Sequence, residues 1–435
     1  MSSDQYLHGL IGGGSSGDGY DINNTFLKDV MLGENLLQGD AIINTSIISD
    51  ITQFLKCADV NELPTNTVRG SSLSADGQFL AIAFISSPYL KTYKWSESNN
   101  RYEVTSAPNS LPTGASYGAA LSADGQFLAV AYDTTPFLKT YKWNELNNRY
   151  EITTAPNENP AGGANGITIS SDGQFLAITH NFDPFLKTYK WDELNNQYAA
   201  TPIMSDKPRN HAFATDMSGD GQFLAVGFST DSPYIITYKW NNTLNRYDAT
   251  ANVNVIPGGS VYGCSLSANG QFLALCCLNS PYLLTYKWNE INNRYEATAN
   301  PNVYPSVSTR GNAMTADGQF LVIGLFSSPY LATYKWNESN NRYEQSVVQD
   351  LNPTGAGYGL SISADGKHFV DGHVTTPFVT AYLVSLTEVL ESAISINNLD
   401  TNKMLINKYI GLMNEDGNVG TTRSATMFWK RGEII

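Results

Sequence analysis

Basic charge is scarce in this chain. Its 435 residues carry 26 Lys and Arg against 40 Asp and Glu, a formal charge of −14. A surface of that sign repels a phosphate backbone, and no Lys/Arg-rich tract offsets it, so nucleic acid is not an expected partner. Cysteine is sparse too. Cys57, Cys264, Cys276 and Cys277 show no paired spacing, and neighbours on a strand point to opposite faces. Buried thiols, not a disulfide framework, are the expectation. The five histidines (His8, His180, His211, His368 and His373) show no metal-ligand spacing. His180 and His211 lie in adjacent repeats and could approach on one rim, but ordinary polar surface is the expected role of both. No apolar run reaches bilayer-spanning length. The opening "MSSDQYLHGL" lacks the cationic stretch and apolar core of a secretory signal. The chain is therefore expected to be made in a cytosol and not to enter a membrane. Nucleophile elbows, phosphate loops and dinucleotide fingerprints are missing as well, so no cofactor is expected.

What the chain has in abundance is repetition. "SADGQFLAIAF" (74–84) returns as "SADGQFLAVAY" (122–132), "SSDGQFLAITH" (170–180), "SGDGQFLAVGF", "SANGQFLALCC", "TADGQFLVIGL" and "SADGKHFVDGH". The glycines of the turn fall at 77, 125, 173, 221, 270, 318 and 366. The period is thus 48 residues, with one extra residue between Gly221 and Pro233. Each repeat reads as four strands. In the second, "YGAAL" (117–121) meets "QFLAVAY" (126–132) across a tight Asp-Gly turn, and "FLKTYKW" (137–143) and "RYEIT" (149–153) follow. A second strand that is apolar at almost every position has both faces covered. Four strands at this period describe one blade of a propeller. The expected fold is all-β: a seven-bladed β-propeller.

The seventh repeat lacks an "NNRYE" segment. Counting back 23 residues from Gly77 reaches Phe54, as the same count from Gly125 reaches Tyr102. "QFLKC" (53–57) is therefore expected to be the outer strand of the last blade, closing the ring and removing its unpaired edges. The expected divisions are an N-terminal arm (1–50), the propeller (51–385) and a C-terminal tail (386–435). The arm begins with the flexible "IGGGSSGDGY". The tail is read as a short helix, "TEVLESAISI", and a small β unit around the turn "NEDGN". Apolar stretches in both tails point to contacts with other proteins and a possible homo-oligomer.

The blade phrase resembles WD-repeat and TolB-like propellers, although the Trp-Asp pair occurs once, at Trp191-Asp192. It is more closely similar to propellers of bacteriophage and prophage virions, often of the tail, whose repeats approximate LPTGxGYGxAxSxDGxxLAVAxxxxPYxxxYKR. The segments "LPTGASYGAALSADGQFLAVAYDTTPFLKTYKW" (111–143) and "NPTGAGYGLSISADGKHFVDGHVTTPFVTAY" (352–382) carry the likeness, which spans about 330 residues. The resemblance implies a non-enzymatic virion protein. It would be joined to other virion proteins through its tails and displayed for assembly or for binding a host-surface glycan or protein. Two alternatives stay open: a cellular lectin-like or protein-binding scaffold, and a propeller glycoside hydrolase whose carboxylates converge only in space.

The repeat itself separates packing from recognition. The turn residues Asp76, Asp124, Asp172, Asp220, Asn269, Asp317 and Asp365 are expected to bond their own backbone, since Asn serves as well as Asp. The tyrosine column from Tyr93 to Tyr382 is invariant, as a packing position should be. One column varies greatly: Arg69, Tyr117, Asn165, Phe213, Tyr262, Arg310 and Tyr358, each expected just before a first strand. The second strand's end is mixed as well (Phe84, Tyr132, His180, Phe228, Cys277, Leu325, His373) and falls on the same face. The seven residues of the first column are the candidate ligand-binding rim. No catalytic or metal-binding set is expected.

Overall fold

The structure is a computed structural model that describes residues 25–32, 35–204, 206–346, 353–397, 410–411 and 426–427, with side chains for 55–204, 206–346 and 353–384. Gln53–Ser385 forms one compact unit, a ring of seven antiparallel sheets. Six blades carry four consecutive strands each, paired in order from the innermost to the outermost. In the second blade these are Ser116–Leu121, Phe127–Tyr132, Leu138–Asn144 and Arg149–Ile152. The seventh takes three strands from its own repeat and its outer strand from Asn35–Lys56, beside Val379–Asn397. The Cys57 N–H donates to the Ala381 carbonyl at 2.9 Å, so the two ends of the chain close the ring as expected.

A second unit comprises residues 1–52 and 386–435. Within it Thr25–Leu32 pairs antiparallel with residues 35–43, and Ile410–Gly411 pairs with Thr426–Met427. The Gly/Ser run of 11–17 and the turn at 414–418 lie outside the described residues. "TEVLESAISI" is not a helix: it continues the strand Val379–Asn397. Leu386, Val389, Leu390, Ala393 and Ile394 have helical spacing, but a strand already running through the seventh blade and a neighbouring strand offering a hydrogen-bond ladder override that period.

The turn explains itself. Asp124 Oδ1 accepts from Ser122 Oγ at 2.6 Å and from the Gln126 N–H at 2.9 Å. Asn269 Oδ1 makes the same pair of bonds with Ser267 and Gln271. The glycine that follows stands at positive φ, +68° for Gly125, and a Cβ there would lie 2.4 Å from Cδ2 of Phe79 in the preceding blade. Gly125→Ala is accordingly expected to cost about 3 kcal/mol, from a strained backbone plus overpacking. A urea titration would show it as a lowered midpoint at unchanged slope.

The blades are clamped by aromatic triplets that span their interfaces. Phe79 meets Trp143 edge-on at 5.1 Å and Tyr150 at 6.4 Å, and the Tyr150 hydroxyl donates to the Gly125 carbonyl at 2.6 Å. The pattern repeats round the ring: Phe127–Trp191, Phe175–Trp240, Phe223–Trp288 and Phe272–Trp336. Between the last blade and the first, His368 takes the Phe role against Trp95 at 4.9 Å. Each second strand is buried along nearly its whole length, and the tyrosine column from Tyr93 to Tyr382 is buried too. The four cysteines are free and buried.

Candidate functional site

Two faces of the ring differ in kind. On one, the third-to-fourth strand turns bind neighbouring blades together. Glu145 accepts from the Trp143 indole of its own blade and pairs with Lys94 of the preceding one at 3.2 Å. Lys142–Glu193, Lys239–Glu290 and Lys287–Glu338 repeat the arrangement. The uniformity of this face therefore has a packing cause.

The other face carries the variable column. Arg69, Tyr117, Asn165, Phe213, Tyr262, Arg310 and Tyr358 are each the second residue of an innermost strand, and each is partly exposed. All seven fall inside a register shift between the first and second strands. A bulge leaves its extra residue unpaired and re-aims the side chain. The residue after the bulge is Gly in six blades and Ala214 in the fourth. Close approach of the innermost strands demands this: a Cβ on Gly263 would sit 2.2 Å from the Arg310 carbonyl oxygen.

Five of the seven make one continuous stack across five blades. The Arg69 guanidinium lies 4.5 Å from the centroid of Tyr358, and Arg310 lies 5.0 Å from the same ring. Arg310 also packs at 4.9 Å over Tyr262, which stacks on Phe213 at 4.9 Å with planes 25° apart. Asn165 is held differently: its Nδ2 donates to Asn181 Oδ1 at 2.8 Å and to the Ala212 carbonyl at 2.9 Å. Tyr117 stands between Arg69 and Asn165 in blade order. Among the described residues neither arginine has a carboxylate partner, and Arg69 Nε is buried without an acceptor. The rim thus concentrates unneutralised positive charge on an acidic chain.

The second mixed column is not part of this surface. Phe84, Tyr132, His180, Phe228, Cys277, Leu325 and His373 each pair with the first residue of an innermost strand and are buried. His180 in particular is core, not polar surface; burial lowers its pKa to about 4. His211 is exposed and rests near Phe185 at 6.2 Å. Among the described residues no group of three or more His, Cys, Asp or Glu is placed to hold a metal ion.

Lower on the innermost strand of the fourth blade, Asp216 joins three blades. It accepts from the Leu266 N–H at 2.7 Å and from Thr168 Oγ1 at 3.1 Å. Burial outweighs these bonds and raises its pKa to about 6. Its neighbours assign it to inter-blade stapling.

No family model matches the chain, and no curated protein matches it. Solved structures share its fold. U3-55K superposes with a TM-score of 0.55 at 12% identity, over 79% of this chain and 98% of that one. The crystal structure of the RRP9 WD40 repeats gives 0.55 at 13%, over 78% and 100%. Hydrazine synthase of Kuenenia stuttgartiensis gives 0.54 at 12%, over 74% and 96%. At such identities the likeness concerns architecture alone: the chain is a seven-bladed β-propeller. The fold hosts unrelated functions, so function has to be read from the site.

Proposed function

We propose that this propeller is a non-enzymatic binding scaffold whose bulged rim contacts a glycan or a protein loop. We further propose that it serves as a structural protein of a bacteriophage virion, made in the host cytoplasm, displayed on the tail or particle surface and joined to other virion proteins by residues 1–50 and 386–435. The observation that carries the binding reading is the Arg69–Tyr358–Arg310–Tyr262–Phe213 stack. Aromatic faces with directed, unpaired guanidinium donors suit ligands that need stacking and hydrogen bonding together. The virion assignment is supported by the repeat's likeness to phage propellers. The rim side chains are Arg, Tyr, Asn and Phe, types suited to recognition more than to acid–base work.

The test replaces Arg69, Tyr117, Tyr262 and Arg310 together by alanine. Host-cell adsorption is expected to fall about a hundredfold, by analogy with loss of hot-spot side chains, while the melting temperature holds. Lost stability with intact adsorption would hand the rim to packing. Absence of the chain from purified particles by mass spectrometry would remove the virion assignment.

A further inference from the structure

The fourth blade breaks the repeat in one place, and the break opens a cavity of about 190 Å³ walled by Asp206, Arg209, Phe228, Asp231, Pro233 and Ile236. Its sibling blades show what normally occupies this region. In the first three blades the second residue of the third strand is Lys91, Lys139 or Lys187. Their ammonium groups reach the loop before the first strand. Lys91 Nζ donates to Glu62 at 2.7 Å and to the Leu63 carbonyl at 2.9 Å. Lys139 donates to Ser110 and to the Leu111 carbonyl, and Lys187 pairs with Glu158. In the fifth and sixth blades both partners have changed together: Leu284 and Ala332 replace lysine, and Val255 and Val303 replace the loop acid. The fourth blade changed only one of them. Ile236 stands at the lysine position while Asp206 keeps the acid.

A second observation points the same way. Tyr93, Tyr141, Tyr189, Tyr286 and Tyr334 each donate their hydroxyl to the carbonyl of that loop residue, at 2.7–3.2 Å. Tyr238, the fourth-blade counterpart, is fully buried and its hydroxyl has no partner. It packs in one apolar cluster with Phe228 and Ile236, which wall the cavity. The loop has lost both its lysine and its tyrosine tether. The extra residue of this repeat falls between Gly221 and Pro233, the stretch that brings Asp231, at φ 72°, into the lining of the cavity. Two carboxylates, Asp206 and Asp231, against one guanidinium, Arg209, leave the cavity one negative charge in excess.

We propose that this cavity binds a primary ammonium at the end of an alkyl chain, which takes the place of the lysine the blade lacks. The apolar floor of Phe228 and Ile236 receives the methylenes, and Asp206 and Asp231 receive the charge. Two sources carry that chemistry: a lysine side chain of a partner protein and a free alkylamine. The site is separate from the rim stack and stands or falls apart from it.

Saturation-transfer NMR on the full chain tests it with Nα-acetyl-lysinamide, its analogue without the terminal ammonium, Nα-acetyl-norleucinamide, and n-butylamine. The lysine derivative is expected to bind and the norleucine derivative not. D206N is expected to weaken binding about tenfold, the scale of a lost charge-assisted bond. I236K should abolish it by supplying the ammonium in cis, with a raised melting temperature. Binding of both amines, or of either one, supports the site when it is lost in D206N; preference for the lysinamide assigns a protein partner and preference for butylamine a free amine. Equal binding by wild type and D206N, equal binding of the norleucine derivative, or no binding of any probe overturns the proposal. Asp206 is exposed, so D206N is expected to fold even where I236K does not.

Discussion

A chain lacking residues 1–57 is expected to lose the single cooperative unfolding transition, whereas one lacking residues 1–45 keeps it. The reason lies in the seventh blade. Its outer strand is the end of Asn35–Lys56, and the Cys57 N–H bond to Ala381 continues the pairing. Cys57 and Val60 are buried in one cluster with Val68, Ile82, Tyr93, Val370 and Ala381, which joins the last blade to the first. Deleting the strand strips the hydrogen bonds from one side of Val379–Ser385 and uncovers that cluster. At about 1 kcal/mol per backbone hydrogen bond, plus the lost burial of Cys57, the loss is on the order of 5 kcal/mol. Truncation at 45 leaves Gln53–Cys57 in place. Differential scanning calorimetry of the two truncations decides the matter: if both melt like the full chain, closure does not depend on this strand.

Most of the ring was legible because a repeat reports its own register. The 48-residue beat located every blade, the count from Gly77 to Phe54 located the closing strand, and interchange of Asp and Asn identified the turn as a backbone device. What the beat cannot show is which way a side chain points. Arg69 and Phe84 lie in equally variable columns, yet a bulge turns the first outward and regular pairing buries the second. Variability at the second position reflects alternative fillings of a packed space, from Phe84 to His180, not recognition. The inter-blade clamp was hidden for another reason. Phe79 and Trp143 are far apart in sequence, and only the stacking of one blade on the next makes them neighbours. The helix expected at 387–396 failed because its spacing fits two periods, and the partner strand that chooses between them comes from the other end of the chain. The fourth-blade cavity did have a signal: lysine recurs at one third-strand position in three blades and stops at Ile236.

Replacing Asp371 by isoleucine is expected to stabilise the propeller at neutral pH by about 3 kcal/mol, the scale on which a buried carboxyl without partners is costly. The column it belongs to is Ile82, Val130, Ile178, Val226, Leu275 and Ile323, all fully buried. The seventh blade alone puts a carboxyl there. It is fully buried, and neither oxygen has a hydrogen-bond partner. Gly357 makes the room: a Cβ on it would stand 2.8 Å from Asp371 Oδ1. Burial holds the Asp371 pKa well above the usual carboxylate range. Among the described groups Tyr382 senses it, its own pKa pushed up by burial first and by the Asp371 charge next. The sign of the pH dependence follows. Below about pH 3.9 the group is protonated in folded and unfolded chains alike, and its stabilising share is complete. As pH rises the unfolded chain releases the proton first, so stability falls by about 1.4 kcal/mol per pH unit until the folded group ionises as well. The advantage of Asp371→Ile should therefore be small near pH 4 and widen toward neutrality, and Asp371→Asn should remove the same pH dependence without the gain in packing. Chemical denaturation of the three proteins between pH 4 and 8 reads this directly. A difference that stays constant across that range would mean that the carboxyl is ionised in the fold and held by contacts other than those described.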